Sequence, residues 1–284
     1  MQEVLETNLT DVKIDETYNK NNEYNSEPTY LAKVNAHERD SHITFRADTH
    51  IYTIDGVNNY ISVTTWNHSH FEEFNGDAII DNMMKSKNWK NSKYYGMSKE
   101  EIKATWNNSK DSASKEGTKL HYDIECYYNN CPNENTSIEY KYFLKFAHDY
   151  KHLIPYRTEW VVWNEDVKIS GTIDMVFVDE NGELVIYDWK RAKEISKTSG
   201  YNKFAKTECI SHIPDTNYWH YCLQLNTYKK ILEDKYGKKV SGMYLVCLHP
   251  NNSNESYQRI PVVDLTDEVN ELFALRKKTL KISN

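Results

Sequence analysis

The chain has 284 residues, 39% hydrophobic and 27% charged, with a formal net charge of -7. That length and apolar content allow a sizeable core in one large α/β domain, or one domain with helical additions. The acidic balance argues mildly against a protein that lives on nucleic acid, which usually presents a basic surface. The charge is unevenly spread, however: residues 1–50 carry 5 Lys/Arg against 10 Asp/Glu, whereas residues 185–240 carry 11 against 6. A nucleic-acid contact or a merely solvated helix face would both give that second count. Cys126, Cys131, Cys209, Cys222 and Cys247 form no C-x-x-C pair, so free thiols in a reducing compartment are expected, without a zinc site. The first residues lack an apolar h-region, and MYLVCL is far too short to span a bilayer. The expectation is a soluble intracellular protein, cytoplasmic or nuclear, of cellular or viral origin, with no membrane partner.

Residues 1–38 are polar and acidic and read as a flexible arm ahead of a single domain over 39–284. Within that domain, 39–150 is a hairpin plus a helical part, and 151–284 is the sheet-containing core. HITFRADTHIYTIDG reads as the hairpin and YISVTTW as a third strand. FNGDAIIDNMMKSKNW has helical spacing. SKEEIKATW opens with a capping box, Ser98 with Glu101, and DSASKEGTKLHYDIECYYNN and SIEYKYFLKFAHDY are two more helices. The period then changes: RTEWVVW, SGTIDMVFV and ELVIYDWK are short β segments, the last two joined at an Asn181-Gly182 turn. YWHYCLQLNTYKKILEDKYG returns to helix and stops at Gly237. KVSGMYLVCLHP and YQRIPVV are further strands, and DEVNELFALRKKTLK closes as an amphipathic helix. This order predicts an α/β fold with a mixed central sheet flanked by helices.

The chemistry concentrates in ELVIYDWKRAK. Strand alternation puts Leu184, Ile186, Asp188 and Lys190 on one face and Val185, Tyr187 and Trp189 on the other. The preceding strand carries a lone acid, Asp174, among apolar residues. Pairing through the turn would bring both acids to one spot. Two carboxylates can hold a hard cation while leaving room for water and phosphate. Such a cation activates water and clamps a phosphate oxygen, and a nearby lysine faces the charge that develops. D-x-K by itself decides nothing, since Asp11/Lys13 and Asp166/Lys168 repeat it; context singles out Asp188/Lys190. An edge-strand lysine and a salt-bridged aspartate are the plain alternatives.

G-T-I-D, a turn and then L-V-I-Y-D-W-K resemble the core of PD-(D/E)XK nucleases, and more narrowly the RecB-type exonucleases, which include relatives of lambda exonuclease and the mitochondrial genome-maintenance exonuclease. Gly117-Thr118-x-x-His121 upstream and Gln224-x-x-x-Tyr228 downstream fit the same subgroup. The motifs span residues 117–228. Ile173 stands where the family's name has proline. The resemblance implies a restriction-endonuclease-like sheet and metal-dependent DNA hydrolysis. It implies that Asp174, Asp188, His121 and the carbonyl of Trp189 bind Mg²⁺ or Mn²⁺. It gives Lys190 the attacking water, Glu159 a supporting catalytic acid, and Gln224 and Tyr228 the substrate backbone. The cysteines of an iron–sulfur cluster are absent, so none is expected. No G-x-x-x-x-G-K-[ST] loop occurs, so ATP is not expected as a cofactor, and a separate helicase or recombination protein is the implied partner. The substrate implied is DNA, single-stranded or with a free end, cut by an exonuclease in replication, repair or recombination. A flap or branch endonuclease is the alternative enzyme, and a catalytically silent nucleic-acid binding module is the alternative of another class. The 33-residue gap between Lys190 and Gln224 is rich in Lys and contains Tyr201, Phe204, Tyr218 and Trp219, a mixture that suits single-strand binding or an ordinary insertion.

Overall fold

In the computed structural model, which describes residues 27–200 and 202–282, a short helix, α1 (Tyr30–Val34), precedes an antiparallel hairpin of β1 (Ile43–Arg46) and β2 (Ile51–Ile54). A two-residue strand, β3 (Ile61–Ser62), runs directly into α2 (Val63–His68). Three helices follow: α3 (Gly76–Lys85), α4 (Lys99–Tyr128) and α5 (Ile138–Asp149). Next come β4 (Ile154–Asn164), β5 (Ile169–Val178) and β6 (Leu184–Lys190), then α6 (Asn217–Lys235), β7 (Val240–Cys247), β8 (Gln258–Pro261) and α7 (Thr266–Ile282).

The main sheet is mixed and runs β3-β5-β6-β7-β8, with β4 on β5. β4–β5, β5–β6 and β7–β8 are antiparallel, whereas β3–β5 and β6–β7 are parallel. α6 makes the crossover that a parallel β6–β7 pair requires. β4 lines one edge of β5 along its whole length, so β3 and β6 share the other edge. β3 pairs at Ile61↔Ile169 and Ser62↔Ser170, and β6 pairs only from Met175↔Tyr187 onward. Residues 171–174 span the gap, and Asp174 sits in the fork where β6 parts from β5.

Alternation along β6 builds a core on each face, whereas β5 breaks the period between Ile173 and Met175, which lie two apart and join different cores. Leu184, Ile186, Ile173 and Val176 pack with α2, α6 and α7, through Trp66, Leu223, Tyr228 and Phe273. Val185, Tyr187, Trp189, Met175 and Phe177 pack with α4 and α5, through Leu120, Ile124, Phe143 and Phe146. The mixed sheet flanked by helices matches the restriction-endonuclease-like architecture that the motifs imply. Among the described residues no helix is long and apolar enough to cross a membrane.

Three local expectations are corrected. YISVTTW is a strand only at Ile61–Ser62, because the Ser62 hydroxyl accepts from Thr65 N at 3.0 Å and caps α2; a cap overrides the β-propensity of Val63 and two threonines. The segments on either side of residue 110 form one 30-residue helix, α4. Its start has the capping box of Ser98 and Glu101, at 3.2 and 2.7 Å. No proline interrupts it, and both ends are anchored, at Ile102 and at Leu120, Ile124 and Tyr128, so hydrogen bonding propagates across a middle that buries nothing. The expected arm over 1–38 ends before residue 38: α1 buries Leu31, whose amide donates to Asn129 Oδ1 at 2.9 Å, and Asn35 reaches the Tyr156 carbonyl. The rest of that arm, residues 1–26, lies outside the described residues.

Candidate active site

On β6, Asp188 and Lys190 extend the face of Leu184 and Ile186 past the end of the packed core. Asp188 is 2% exposed, and Lys190 Nζ lies 2.5 Å from its Oδ2. The ammonium also stands 4.5 Å over the ring of Tyr221 on α6, a favourable cation–π placement. Asp174 serves the fork itself. Its Oδ2 accepts from Trp189 N at 2.9 Å, taking the place of the strand acceptor that β5 no longer offers there.

His121 reaches the same spot from α4. Its Nε2 lies 3.0 Å from the Trp189 carbonyl, so that nitrogen carries a proton and donates. Nδ1 then faces the acids, 3.6 Å from Asp174 Oδ2 and 3.8 Å from Glu159 Oε1. Glu159 is opposite Asp174, between the pairs Thr158↔Met175 and Trp160↔Ile173. Its φ is +42°, a left-handed conformation inside a strand that costs a non-glycine residue about 1–2 kcal/mol. Strain of that kind collects where a side chain must be aimed.

Burial raises the pKa of both aspartates, that of Asp188 to about 6, while Lys190 and His121 pull the other way. Burial also opposes charge on His121, but Asp174 and Glu159 outweigh it and lift the imidazole to about 9. Burial and the Glu159 carboxylate push Glu125, four residues on, up to about 7. The site therefore attracts positive charge.

It also has the donors to hold a cation. One ligand atom each from His121, Glu159 and Asp174 lies within 4.8 Å of the other two. Two carboxylate oxygens and one imidazole nitrogen suit Mg²⁺ or Mn²⁺. Asp188, whose buried Oδ2 is held by the Lys190 ammonium, is a further carboxylate on the neighbouring strand. The residues present fit a divalent metal.

A cleft of about 410 Å³ opens on the histidine side, lined by Gly117, Thr118, His121, Tyr122, Glu125 and Glu159. One of about 380 Å³ opens on the lysine side, lined by α2 residues Thr64, Asn67 and His68 together with Lys190, Asn217, His220, Tyr221 and Gln224. Asp174 lies against His121 of the first cleft and Asp188 against Lys190 of the second.

The structure thus brings together His121, Glu159, Asp174, Asp188 and Lys190. Within this group Glu159 belongs with the ligand atoms, while Asp188 is engaged by Lys190 and the Trp189 carbonyl by His121. Gln224 lines the lysine cleft. Tyr228 does not: it is 3% exposed, 3.4 Å from Gln224 Nε2 through its hydroxyl, and a Cβ on Gly171 would fall 2.8 Å from its ring. It supports the fork from behind and touches no surface. In the long gap, Tyr218 is core, with its hydroxyl on the Pro261 carbonyl, and Trp219 donates to the Lys197 carbonyl, whereas Phe204 is exposed; Tyr201 lies outside the described residues. Tyr221 was legible, three residues before Gln224 on one helix face. The α2 residues were not, because their segment reads as strand.

The forked strand pair of the mixed sheet thus carries a buried acid, Asp188, a partly buried one, Asp174, a paired lysine and a converging histidine. The PD-(D/E)XK nuclease superfamily profile matches residues 81–281, and the chain belongs to that superfamily. No curated protein matches the sequence. Among solved structures, the chain is similar to a candidate exonuclease from Eubacterium rectale, at 10% identity and TM-score 0.34, covering 78% of this chain and 79% of that one. It is also similar to the protein SSO0001, at 14% identity and TM-score 0.29, covering 88% and 84%.

Proposed function

We propose that this chain is a divalent-metal-dependent deoxyribonuclease, a RecB-type exonuclease that processes single-stranded DNA ends in replication, repair or recombination. One observation carries the reading: His121, Glu159 and Asp174 converge within ligand distance of one another, beside the buried Asp188–Lys190 pair. His121, Glu159 and Asp174 would hold the ion, with Asp188 as a neighbouring carboxylate. Bound Mg²⁺ or Mn²⁺ supplies Lewis acidity toward a phosphoryl oxygen.

Lys190 stays an ammonium, since Asp188 and Asp174 outweigh the burial that opposes its charge. It therefore takes no proton from water. Its N–H groups orient the attacking water and face the negative charge that grows on the phosphate. Asp188 fixes its position, and Gln224 meets the strand in the same cleft. An unwinding partner, a helicase or recombination protein, would expose the end.

The test is a gel assay on end-labelled single- and double-stranded DNA with Mg²⁺, Mn²⁺ or EDTA, with Asp188→Ala alongside. Metal-dependent loss of label from the ends by the wild type alone is expected. Internal cuts at flaps or branches would favour the endonuclease. Binding without cleavage under every metal would make the chain a binding module.

A further inference from the structure

The middle of α4 carries a feature that neither the fold nor the metal cluster accounts for. Gly117 lies inside the helix, where glycine is a poor choice because it loses the most backbone freedom on folding. Nothing among the described residues requires it. A Cβ built there would meet no atom within 4 Å, so no neighbouring element approaches it. Its open side instead lines the histidine-side cleft with His121 and Glu159.

Going around the helix from Gly117, His121 and Glu125 come first, then Thr118 and Tyr122, then Lys115 and Lys119, as 100° per residue dictates. A second cleft, of about 470 Å³, is lined by Ser114, Lys115, Thr118, Lys119 and Tyr122, and it shares Thr118 and Tyr122 with the first. One continuous groove therefore crosses α4 and ends at the ligand cluster. Tyr122 is 54% exposed in the middle of it. Residues 85–119 hold nine lysines against four acidic residues, inside a chain of net charge -7. Lys110 and Lys115 make no ion pair among the described residues, while Lys119 is paired with Asp123.

We propose that this groove carries the single-stranded nucleic acid that enters the metal site, with the strand's backbone crossing α4 against Gly117. A side chain at 117 would hold the backbone off the helix. Lys115 neutralises a phosphate, and Tyr122 offers a ring on which a base stacks. Stacking selects a single strand, because a duplex hides its base faces. This deepens the nuclease reading and rests on it for the destination of the strand.

The decisive variant is Gly117→Ala, for which the two properties move in opposite directions. Alanine favours the exposed helix, so the melting temperature rises by about 2–4 °C. Cleavage of a labelled single-stranded oligonucleotide falls on the order of tenfold or more, and its affinity, measured by fluorescence anisotropy in EDTA, falls as well. In the same assay Lys115→Gln lowers the slope of log affinity against log salt by about 0.7, and Tyr122→Leu weakens binding roughly tenfold. A Gly117→Ala protein that is less stable than the wild type overturns the proposal, because the glycine is then structural. A more stable protein that binds and cleaves like the wild type overturns it too, and leaves the nuclease reading intact. Binding that weakens in these variants when the wild type cleaves nothing would uphold the groove and sink the nuclease instead. A wild type that binds no single strand at any salt would end the groove.

Discussion

The β5–β6 fork and the middle of α4 hold charge in opposite ways. At the fork, the buried Asp188 pairs with the mostly buried Lys190, and Asp174 takes a backbone amide. Along residues 107–119 of α4 the lysines stand in solvent and the helix buries nothing. Buried charges must be paired, and removing one leaves the other stranded, whereas exposed charges are screened and nearly independent. On the proposed reading, the chemistry would sit where geometry is over-determined, and the strand would be met where the surface is free to change.

The largest expected effect breaks the fork. Asp188→Ala should lose activity by 10²–10³-fold or more, on the order of removing a preorganised electrostatic group. It should also cost about 3 kcal/mol of stability, since Lys190 is left buried without its partner. Denaturant unfolding checks this, and the double variant Asp188→Ala/Lys190→Met should recover the stability without the cleavage. Equal stability of the single variant and the wild type would mean that Lys190 swings into solvent, and that the fork is no more rigid than α4.

A smaller effect sharpens the picture on the core side. His70 is 8% exposed, bonded through Nδ1 to Thr207 Oγ1 at 2.9 Å, with Nε2 unpaired. Burial, aided by the Lys206 charge, lowers its pKa to about 4. The unfolded chain therefore binds the proton more readily, and stability rises with pH through the window between. The contribution is complete above about pH 6.5 and is lost as pH falls toward 4, on the order of 2 kcal/mol after allowance for screening. Melting curves from pH 4 to 7 should show that extra slope in the wild type and not in His70→Gln.

The smallest concerns the start of α4. Ser98→Ala removes half of a capping box and should cost about 1 kcal/mol, or about 2–4 °C. A much larger loss would show that α3 and the first half of α4 unfold together with the sheet, which would erase the distinction between the two regions.

Much of this was legible in residue order. The two-residue period of LVIYDWK put Asp188 and Lys190 on one face, and the two cores on opposite sides of the sheet follow that alternation. Ser98 with Glu101, the Asn181-Gly182 turn and the stop at Gly237, whose φ is +61°, are signals contained in a few adjacent residues. The family match spans residues 81–281, the stretch that contains these signals.

By itself the sequence determined most of the elements, though not α2 or the continuity of α4, and the alternation along β6 that puts Asp188 and Lys190 on one face, because each depends on neighbours within a turn of helix or a few strand positions. It did not determine that Glu159 turns left-handed to face His121, that the Trp189 carbonyl belongs to His121, or that Tyr228 stands behind the site and Tyr221 beside it. Nor did it show that α2 walls the lysine cleft. Those outcomes depend on which segments meet across gaps of tens of residues, and only the packing of α2, α4 and α6 onto the forked sheet fixes such distances.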